Sequence, residues 1–482
     1  MVITKNRVRF KDIKTITEHQ KPPIYASNLD LTKSTLVVGK MGTGKSVFLK
    51  NLLAQEKYNR AIINDVKGEY VEAFYNPEKD IIFQPFDARS KLWFFFEDIK
   101  QEPTLADVIS TAMVSQISET NKDFWITAAQ KLLKDAILYS SFSEQPNKHN
   151  AILEYIQTYQ KQAIQVNDKT ALSIVATLQP ILDYFELAGY LEDKYLREEK
   201  YDKFFTLFDF VNTDNKQKLF LLNDVAHRTA TAPFQTAFLS ALISLLLSRP
   251  NTKEDFTFFL LDEFLSIKIP EDLLILLFTT ARSKGIQLLF ATQFLPNVQN
   301  DKRTQIILSS RQLTILFKVV DETTLSTIEN TMGDFEFITS TTNTSTSRTV
   351  ATSSSISNGS LSTGFPFGKT ATVKSTSTST SFRRSYSEDT EMQRATKRLI
   401  DRSYILALPE YHALVHLTDP FQIFLAKVEN FYFDFHQKKA EAFERLDLSE
   451  FYQSKARMPH KYYEEQQQNY IRQQQEYQRQ QQ

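Results

Sequence analysis

One eight-residue string has the residue types and spacing of a phosphate-binding loop, G-x-x-x-x-G-K-[ST], without a mismatch. It consists of Gly39, Lys40, Met41, Gly42, Thr43, Gly44, Lys45 and Ser46. Glycines allow backbone N–H groups to turn inward around phosphate oxygens, and the positive end of a following helix faces the same oxygens. Lys45 would reach the β- and γ-phosphates, and the Ser46 hydroxyl would bind Mg²⁺. The string therefore predicts a site for ATP and Mg²⁺.

Two adjacent carboxylates follow an apolar run farther along the chain. Phe258–Leu261 is followed directly by Asp262 and Glu263. Asp262 would bind Mg²⁺ through water, and Glu263 would polarise an attacking water as a general base. An apolar strand that ends in acid is common by chance, so the pair gains its weight from its combination with the phosphate loop. The adjacent glutamate favours hydrolysis over simple kinase chemistry.

Two further polar residues are candidates for the same chemistry. Gln293 follows the apolar run Gln287–Ala291, and ligands of parallel sheets lie at such strand ends. It would sense the γ-phosphate or position water, unless it is an ordinary solvated residue. Arg282 stands at the predicted end of the preceding helix. There it would be either a helix cap or an arginine finger that reaches the nucleotide of a neighbouring subunit.

Strand-like runs and helical segments alternate along most of the chain. The predicted strands are Ser34–Val38, Ala61–Ile63, Ile81–Phe83, Lys218–Leu222, Thr257–Leu261, Gln287–Ala291 and Leu313–Val319. This alternation predicts an α/β fold with a doubly wound, mostly parallel sheet. Between about Pro103 and Glu192 the pattern is helical throughout, as in Asp123–Ser140 and Thr170–Phe185. That stretch predicts an inserted all-α lobe, with Gly189 as an ordinary helix stop.

The segment Thr339–Ser381 differs in composition, because 26 of its 43 residues are serine or threonine. Such a segment is either a disordered linker or a long two-stranded arm that turns at Asn358-Gly359. Beyond it, Tyr404–Leu408, Ala413–Leu417 and Gln422–Ala426 read as closing strands. The residues from Gln466 onward are rich in glutamine and are predicted to be disordered or a frayed helix.

These patterns divide the chain into six parts. Residues 1–100 begin a nucleotide-binding domain, 101–200 form the all-α domain, 201–338 complete the nucleotide-binding domain with its acidic strand end, 339–390 are the Ser/Thr-rich linker or β-arm, 391–435 are closing strands, and 436–482 are the C-terminal Gln-rich tail.

Composition excludes several classes of protein. The chain of 482 residues has no cysteine, which excludes a disulfide scaffold, a thiolate metal site and a cysteine nucleophile. Its 57 basic and 57 acidic residues cancel, so any DNA contact must come from local charge rather than from net charge. The polar N-terminus lacks a secretory apolar region. The longest apolar run, Phe238–Leu247, is too short to span a membrane. Trp93 and Trp125 are expected in the core.

The combination of strings resembles the conjugative coupling proteins of type IV secretion (the TraD/TraG group), within the HerA/FtsK class of translocases. Asn64–Glu69 resembles the family's D-x-K-G-E, and Gln84–Trp93 resembles its N-P-x-D-x-R-S-x-x-W. Asp123-Phe124-Trp125 resembles the start of its all-α lobe, and Leu261–Gln293 matches its stretch from the Walker B motif to the glutamine. The likeness runs from about Leu31 to Val428.

This resemblance implies a RecA-like P-loop NTPase domain and a homohexameric ring with ATP at the subunit interfaces. DNA or a relaxase–DNA complex would thread the centre, and components of the type IV secretion channel would be partners. The family usually carries an N-terminal transmembrane pair, whereas only about 30 polar residues precede the first strand here. A cytoplasmic protein is therefore expected, peripheral at the inner face of the cell membrane and attached indirectly or through a partner.

Two other functions remain open from the sequence. One is a soluble HerA/FtsK-like DNA translocase in packaging, repair or defence, which the missing transmembrane pair favours. The other is a receptor platform that recruits protein substrates and uses nucleotide only to prop the ring. The intact Glu263 argues against that platform, because a ring that does not hydrolyse ATP has no use for a water-activating carboxylate.

Overall fold

The structure is a computed structural model, and it covers most of the chain in several stretches. It describes residues 33–116, 124–223, 227–297, 301–332, 334–345, 354–361, 371–375, 387–398, 400, 402–418, 422–428 and 438–456. The predicted tail from Gln466 onward lies outside these residues.

Fifteen strands are present in the described residues. In chain order they are β1 Thr35–Val38, β2 Arg60–Asp65, β3 Ile81–Phe83, β4 Leu92–Trp93, β5 Phe204–Phe205, β6 Gln217–Leu222, β7 Thr257–Asp262, β8 Ile286–Thr292, β9 Leu313–Leu316, β10 Asp334–Ser345, β11 Ser354–Leu361, β12 Ala371–Ser375, β13 Ser387–Arg398, β14 His412–Leu417 and β15 Gln422–Lys427.

The α-helices lie between these strands. In chain order they are α1 Lys45–Ala54, α2 Glu69–Phe74, α3 Phe95–Gln101, α4 Leu105–Val114, α5 Phe124–Phe142, α6 Lys148–Gln165, α7 Lys169–Arg197, α8 Leu207–Asn212, α9 Arg228–Ser248, α10 Glu271–Thr280, α11 Lys302–Ser310, α12 Glu322–Met332 and α13 Arg402–Leu406, followed by a last helix over 449–456. Short 3₁₀ turns occupy Tyr201–Lys203, Phe264–Ser266 and Ala281–Lys284.

Nine strands form one sheet in the order β15-β14-β9-β1-β8-β7-β2-β6-β3. Seven of them are parallel, and β14 and β15 add an antiparallel edge. Alternate residues of each strand enter cores on opposite faces. Leu36 and Val38 pack on one face and Val37 on the other. Burial on both faces explains why these strands read as continuous apolar runs. The predicted doubly wound, mostly parallel α/β fold is confirmed.

The inserted region is helical, as its periodicity predicts. Helices α4 to α7 pack against one another and against α9, and their apolar residues are continuous with the core on one face of the sheet. Gly189 lies inside α7 rather than at its end, so the predicted helix stop is wrong. A methyl group at this position would lie 2.2 Å from Asn150 Oδ1. The glycine therefore permits close packing of α7 on α6.

The described part of the Ser/Thr-rich segment belongs to a four-stranded antiparallel sheet in the order β12-β11-β10-β13. The predicted turn at Asn358-Gly359 is wrong, because both residues lie inside β11. Asn358 pairs with Ser340 on one side and with Lys374 on the other. Pairing with β10 on one side and β12 on the other has outweighed the local turn preference of Asn-Gly. Because β13 ends at Arg398, the predicted block of closing strands at 391–435 begins too early.

The closing region contains one helix and two strands instead of three strands. Tyr404–Leu408 was predicted to be a strand, but α13 occupies Arg402–Leu406 and buries Ile405. A run of five apolar residues is compatible with both a helix and a strand. Here the Arg402 guanidinium stabilises the helical turn by donating to Glu329 of α12 at 2.8 Å. The other two predicted strands are present as β14 and β15.

Residues 438–456, called here the C-terminal segment, belong to the folded body rather than to a tail. The segment crosses from the edge of the main sheet to the helical lobe. Lys439 N–H donates to Glu72 O at 2.7 Å, and Leu446 N–H donates to Phe86 O at 2.9 Å. Phe451 is buried and its ring lies 5.3 Å from that of Tyr190 in α7. The predicted boundary at 436 is therefore wrong for this stretch.

Two described helices have the length and apolar composition of a membrane span. They are Lys169–Arg197 and Thr231–Ser248, and 56% and 83% of their most apolar stretches are buried within the fold. Both contribute to the core described above. Of the two tryptophans, Trp93 is buried and its Nε1–H donates to Asp98 at 2.8 Å. The prediction of a core position is wrong for Trp125, which is 38% exposed in the first turn of α5.

Candidate nucleotide site

The phosphate-loop string joins β1 to α1 in the strand–loop–helix arrangement that its chemistry requires. Gly42 and Gly44 have φ angles of 82° and 108°, which side chains other than glycine rarely adopt. Gly39 needs its lack of a side chain for another reason, since a methyl group there would lie 2.6 Å from Phe317 Cβ. Lys40 N–H donates to Lys318 O at 2.9 Å. The residues that follow the neighbouring strand β9 thus fix the start of the loop.

Lys45 is buried and lies between the two carboxylates that the sequence singled out. Its Nζ is 2.8 Å from Asp262 Oδ1 and 3.0 Å from Glu263 Oε1. Burial alone would lower the pKa of Lys45, but the two carboxylates outweigh burial and raise this pKa above its ordinary value. Lys45 is therefore a fixed positive charge at the carboxyl end of β1.

Asp262 is held by three donors at the end of β7. Its Oδ1 accepts from Lys45 Nζ and from the Glu263 N–H at 3.0 Å. Its Oδ2 accepts from the buried Tyr70 hydroxyl at 3.0 Å. The Asn64 side chain donates to the Asp262 backbone carbonyl at 2.6 Å. These contacts leave the carboxylate in one orientation beside the phosphate loop.

Glu263 has a strained backbone and a partner on the next strand. Its φ of 50° is left-handed, which is uncommon for a residue with a side chain and is found preferentially at functional sites. Gln293 Nε2 donates to Glu263 Oε1 at 2.7 Å, and the Gln293 backbone N–H donates to Oε2 at 3.3 Å. The arrangement orients the carboxylate toward Lys45.

A further buried acid, Asp65, lies next to this cluster, although the sequence did not single it out as a site residue. Asp65 ends β2, and one of its oxygens accepts from Tyr70 N–H at 2.8 Å and Val71 N–H at 2.9 Å. Burial raises the pKa of Asp65 to about 7, although both N–H groups oppose this shift. In the sequence, Asp65 stands out only as part of the string Asn64–Glu69 that resembles the family. Tyr70 could not be recognised from the sequence, because its role depends on a hydrogen bond to Asp262, which is far away in the chain.

The oxygen donors present suit Mg²⁺, which prefers hard oxygen ligands. Ser46 is half-buried in the first turn of α1, and its hydroxyl forms no hydrogen bond within the described part of the chain. Asp262 adds an oriented carboxylate oxygen. These two residues would hold the ion, so the predicted pair fits the chemistry of the ion.

The structure brings Lys45, Asp262, Glu263 and Gln293 together, but it does not bring Arg282 to them. Arg282 lies in the 3₁₀ turn before β8, whereas the phosphate loop faces the far end of that strand. Seven residues of extended strand separate these two edges by about 20 Å. The exposed Arg282 side chain forms no hydrogen bond or ion pair with any residue that the structure describes.

Residues 24–429 match the family model described as the type IV secretion-system coupling protein DNA-binding domain. The chain belongs to this family. One curated relative is the coupling protein TraD of Escherichia coli (strain K12), which is 25% identical to this chain over 255 residues. The matched region is 48% of this chain and 34% of TraD, so the match spans about a third of the relative's length.

Solved structures show that the coupling-protein fold is shared. The bacterial conjugative coupling protein TrwBdeltaN70 in an unbound form superposes with a TM-score of 0.58 at 17% identity, over 92% of this chain and 95% of that one. The plasmid coupling protein TrwB in complex with ADP and Mg²⁺ gives 0.57 at 17% identity, over 91% and 96%. At this identity the likeness concerns the fold, which confirms the RecA-like prediction.

Proposed function

We propose that this protein is an ATP-driven coupling protein that delivers DNA or a nucleoprotein to a type IV secretion channel. One observation carries the hydrolytic part of the proposal. The Glu263 carboxylate is held by Gln293 within 3.0 Å of Lys45, the lysine of a complete phosphate loop. A structural loop alone has no need for an oriented, strained acid at this position.

Each residue of the cluster has a chemical task in this proposal. Lys45 leaves the carboxylates to neutralise the β- and γ-phosphates when nucleotide binds. Glu263 accepts a proton from the attacking water, and Gln293 keeps that carboxylate oriented. Backbone N–H groups of Gly42 and Gly44 bind phosphate oxygens. Ser46 and Asp262 would hold Mg²⁺, which would neutralise charge on the phosphates.

The assembly belongs to the same proposal. Six copies form a ring, and Arg282 of one copy completes the site of the next. Its exposure at the edge opposite its own phosphate loop supports action on a neighbour. DNA or a relaxase–DNA complex passes through the ring to channel components. The chain acts at the cytoplasmic side of the cell membrane and meets that membrane through a partner.

Two substitutions test the hydrolytic mechanism directly. Glu263→Gln keeps shape and loses the base, and Lys45→Ala loses the phosphate contact. We expect each to lower DNA-stimulated ATPase turnover by about 10²–10⁴-fold, because general-base and charge-stabilising groups contribute this much. Glu271→Gln and Lys302→Ala are matched controls, since this exposed pair lies on α10 and α11. Circular dichroism verifies the fold, and normal turnover in both test variants would refute the mechanism.

The same assay, combined with substrate-protein binding and membrane fractionation, separates the rival functions. ATPase activity measured with single-stranded, double-stranded and no DNA, together with native mass, reports both stimulation and stoichiometry. A ring that binds substrate proteins but never hydrolyses ATP would favour the receptor platform. A DNA-stimulated ring that does not fractionate with secretion-channel proteins would favour a translocase outside secretion.

A further inference from the structure

The strand order assigns a direction to a nucleotide bound at the phosphate loop. Strand β1 lies between β8 and β9, and the carboxylates and Gln293 all lie on the β8 side. The terminal phosphate must lie near Glu263, since that residue handles the attacking water in the proposed function. The nucleoside therefore leaves the loop on the opposite side, toward β9 and β14.

Tyr411 occupies this opposite side. It directly precedes β14, and its backbone N–H donates to Thr43 O of the phosphate loop at 2.9 Å. A methyl group at Gly44 would lie 3.1 Å from the Tyr411 ring atom Cδ1. The ring is thus next to the last residues of the loop, where α1 begins. It is nevertheless 43% exposed, so one part of it faces solvent.

The backbone of Tyr411 is unfavourable for a residue with a large side chain. Its φ is 58°, in the left-handed region that glycine and asparagine occupy at lower cost. The contacts that tie Tyr411 to the loop are made by its backbone, including acceptance from Val428 N–H at 2.7 Å. Any residue other than proline could make them. Neither strain nor loop anchoring explains why an exposed aromatic ring is present.

We propose that the Tyr411 ring is the surface on which the base of a bound nucleoside triphosphate stacks. Bases stack on aromatic side chains with substantial affinity and with little selectivity among bases. A ring next to Gly44, on the side where the nucleoside leaves, provides such a surface. This inference rests on the proposed nucleotide site and adds to it a residue that binds the base rather than the phosphates.

Calorimetric titration of the full chain in the presence of Mg²⁺ tests this role with two ligands. One is a non-hydrolysable ATP analogue, and the other is inorganic tripolyphosphate, which has no base. We expect Tyr411→Ala to weaken the analogue roughly tenfold or more, with tripolyphosphate affinity unchanged. Tyr411→Phe, which keeps the ring, should bind both ligands as the unmodified chain does. Tyr452→Ala removes a comparably exposed ring from the C-terminal segment and should change neither affinity.

The outcomes distinguish this inference from the proposed function. If Tyr411→Ala binds the analogue normally while Lys45→Ala does not, base stacking is refuted and the nucleotide site stands. If Tyr411→Ala weakens both ligands equally, Tyr411 only supports the loop, and the inference is again wrong. If the unmodified chain binds neither ligand, the proposed function fails and the inference fails with it.

Discussion

Tyr70 connects the Asp262 carboxylate to Asp65, the buried acid at the end of β2. Its buried hydroxyl donates to Asp262 Oδ2, and its backbone N–H donates to Asp65. Asp65 thus fixes the start of α2, and α2 fixes the tyrosine. Partners that orient a metal-binding carboxylate commonly change metal affinity by 10–100-fold when they are lost.

We expect Tyr70→Phe to raise the Mg²⁺ concentration needed for tight ADP binding by about tenfold, since the ring remains but the carboxylate loses its donor. Fluorescent ADP titrations at graded Mg²⁺ measure this change, and affinity without Mg²⁺ should stay the same. Tyr58→Phe is the matched control, because Tyr58 is also buried but donates to the Leu53 carbonyl. Equal Mg²⁺ dependence in the two variants would contradict the assignment.

The residues of the cluster differ in how far sequence could identify them. Lys45, Asp262 and Glu263 could be predicted because short strings place Lys45 directly after the loop that follows β1 and the two carboxylates at the end of β7, and parallel strands bring those ends to one edge. Tyr70 and Tyr411 could not. Each acts through a contact between segments that are far apart in the chain, and neither lies in a chemical motif of its own.

At the scale of elements, burial on both faces made the parallel strands predictable. The failures occurred where local preference and packing disagree. Gly189 would end an isolated helix, yet inside α7 it allows contact with α6. Asn358-Gly359 favours a turn locally, yet neighbouring strands on both sides hold it extended. Only the assembled structure decides such cases.

The C-terminal segment depends on a glycine at the start of α2. Gly68 has a φ of 75°, and a methyl group there would lie 2.6 Å from Ala442 Cβ and 2.8 Å from Ala442 Cα. The Ala442 backbone cannot move away from an added methyl group as the end of a flexible side chain could. The Arg89 guanidinium holds the same stretch by donating to the Glu441 carbonyl at 2.7 Å. Gly68 is therefore where the segment meets the edge of the nucleotide site.

We expect Gly68→Ala to lower the melting temperature by several degrees, because overpacking of this kind costs about 1–3 kcal/mol in addition to backbone strain. Gly42→Ala is a matched control for stability. Its φ of 82° imposes similar strain, but nothing lies within 4 Å of the added methyl group. Differential scanning calorimetry compares the two, and equal shifts would mean that the contact with Ala442 is unimportant.

At the scale of the whole molecule, the two edges of the main sheet, at the carboxyl and amino ends of its parallel strands, carry different groups. The carboxyl edge carries the phosphate loop and the two carboxylates. The amino edge carries Arg282, whose exposed side chain pairs with no residue that the structure describes. The proposed finger can reach only the carboxyl edge of a second copy. Under this proposal the site of one chain is incomplete, and hydrolysis requires the assembly.

Mixing two inactive variants tests this shared site. Arg282→Ala keeps its own phosphate loop but cannot complete a neighbour's site, and Lys45→Ala has the opposite defect. We expect Arg282→Ala alone to lose ATPase activity by about 10³-fold or more, as loss of an arginine finger does, and Lys45→Ala alone to lose about 10²–10⁴-fold. Mixed and reassembled, they should recover a measurable fraction, because some interfaces combine an intact loop with an intact arginine. Mixing Lys45→Ala with Glu263→Gln should restore nothing, because both residues act in their own copy's site and every site then keeps one of the two defects. Full activity of Arg282→Ala alone would assign that side chain to a plain helix cap.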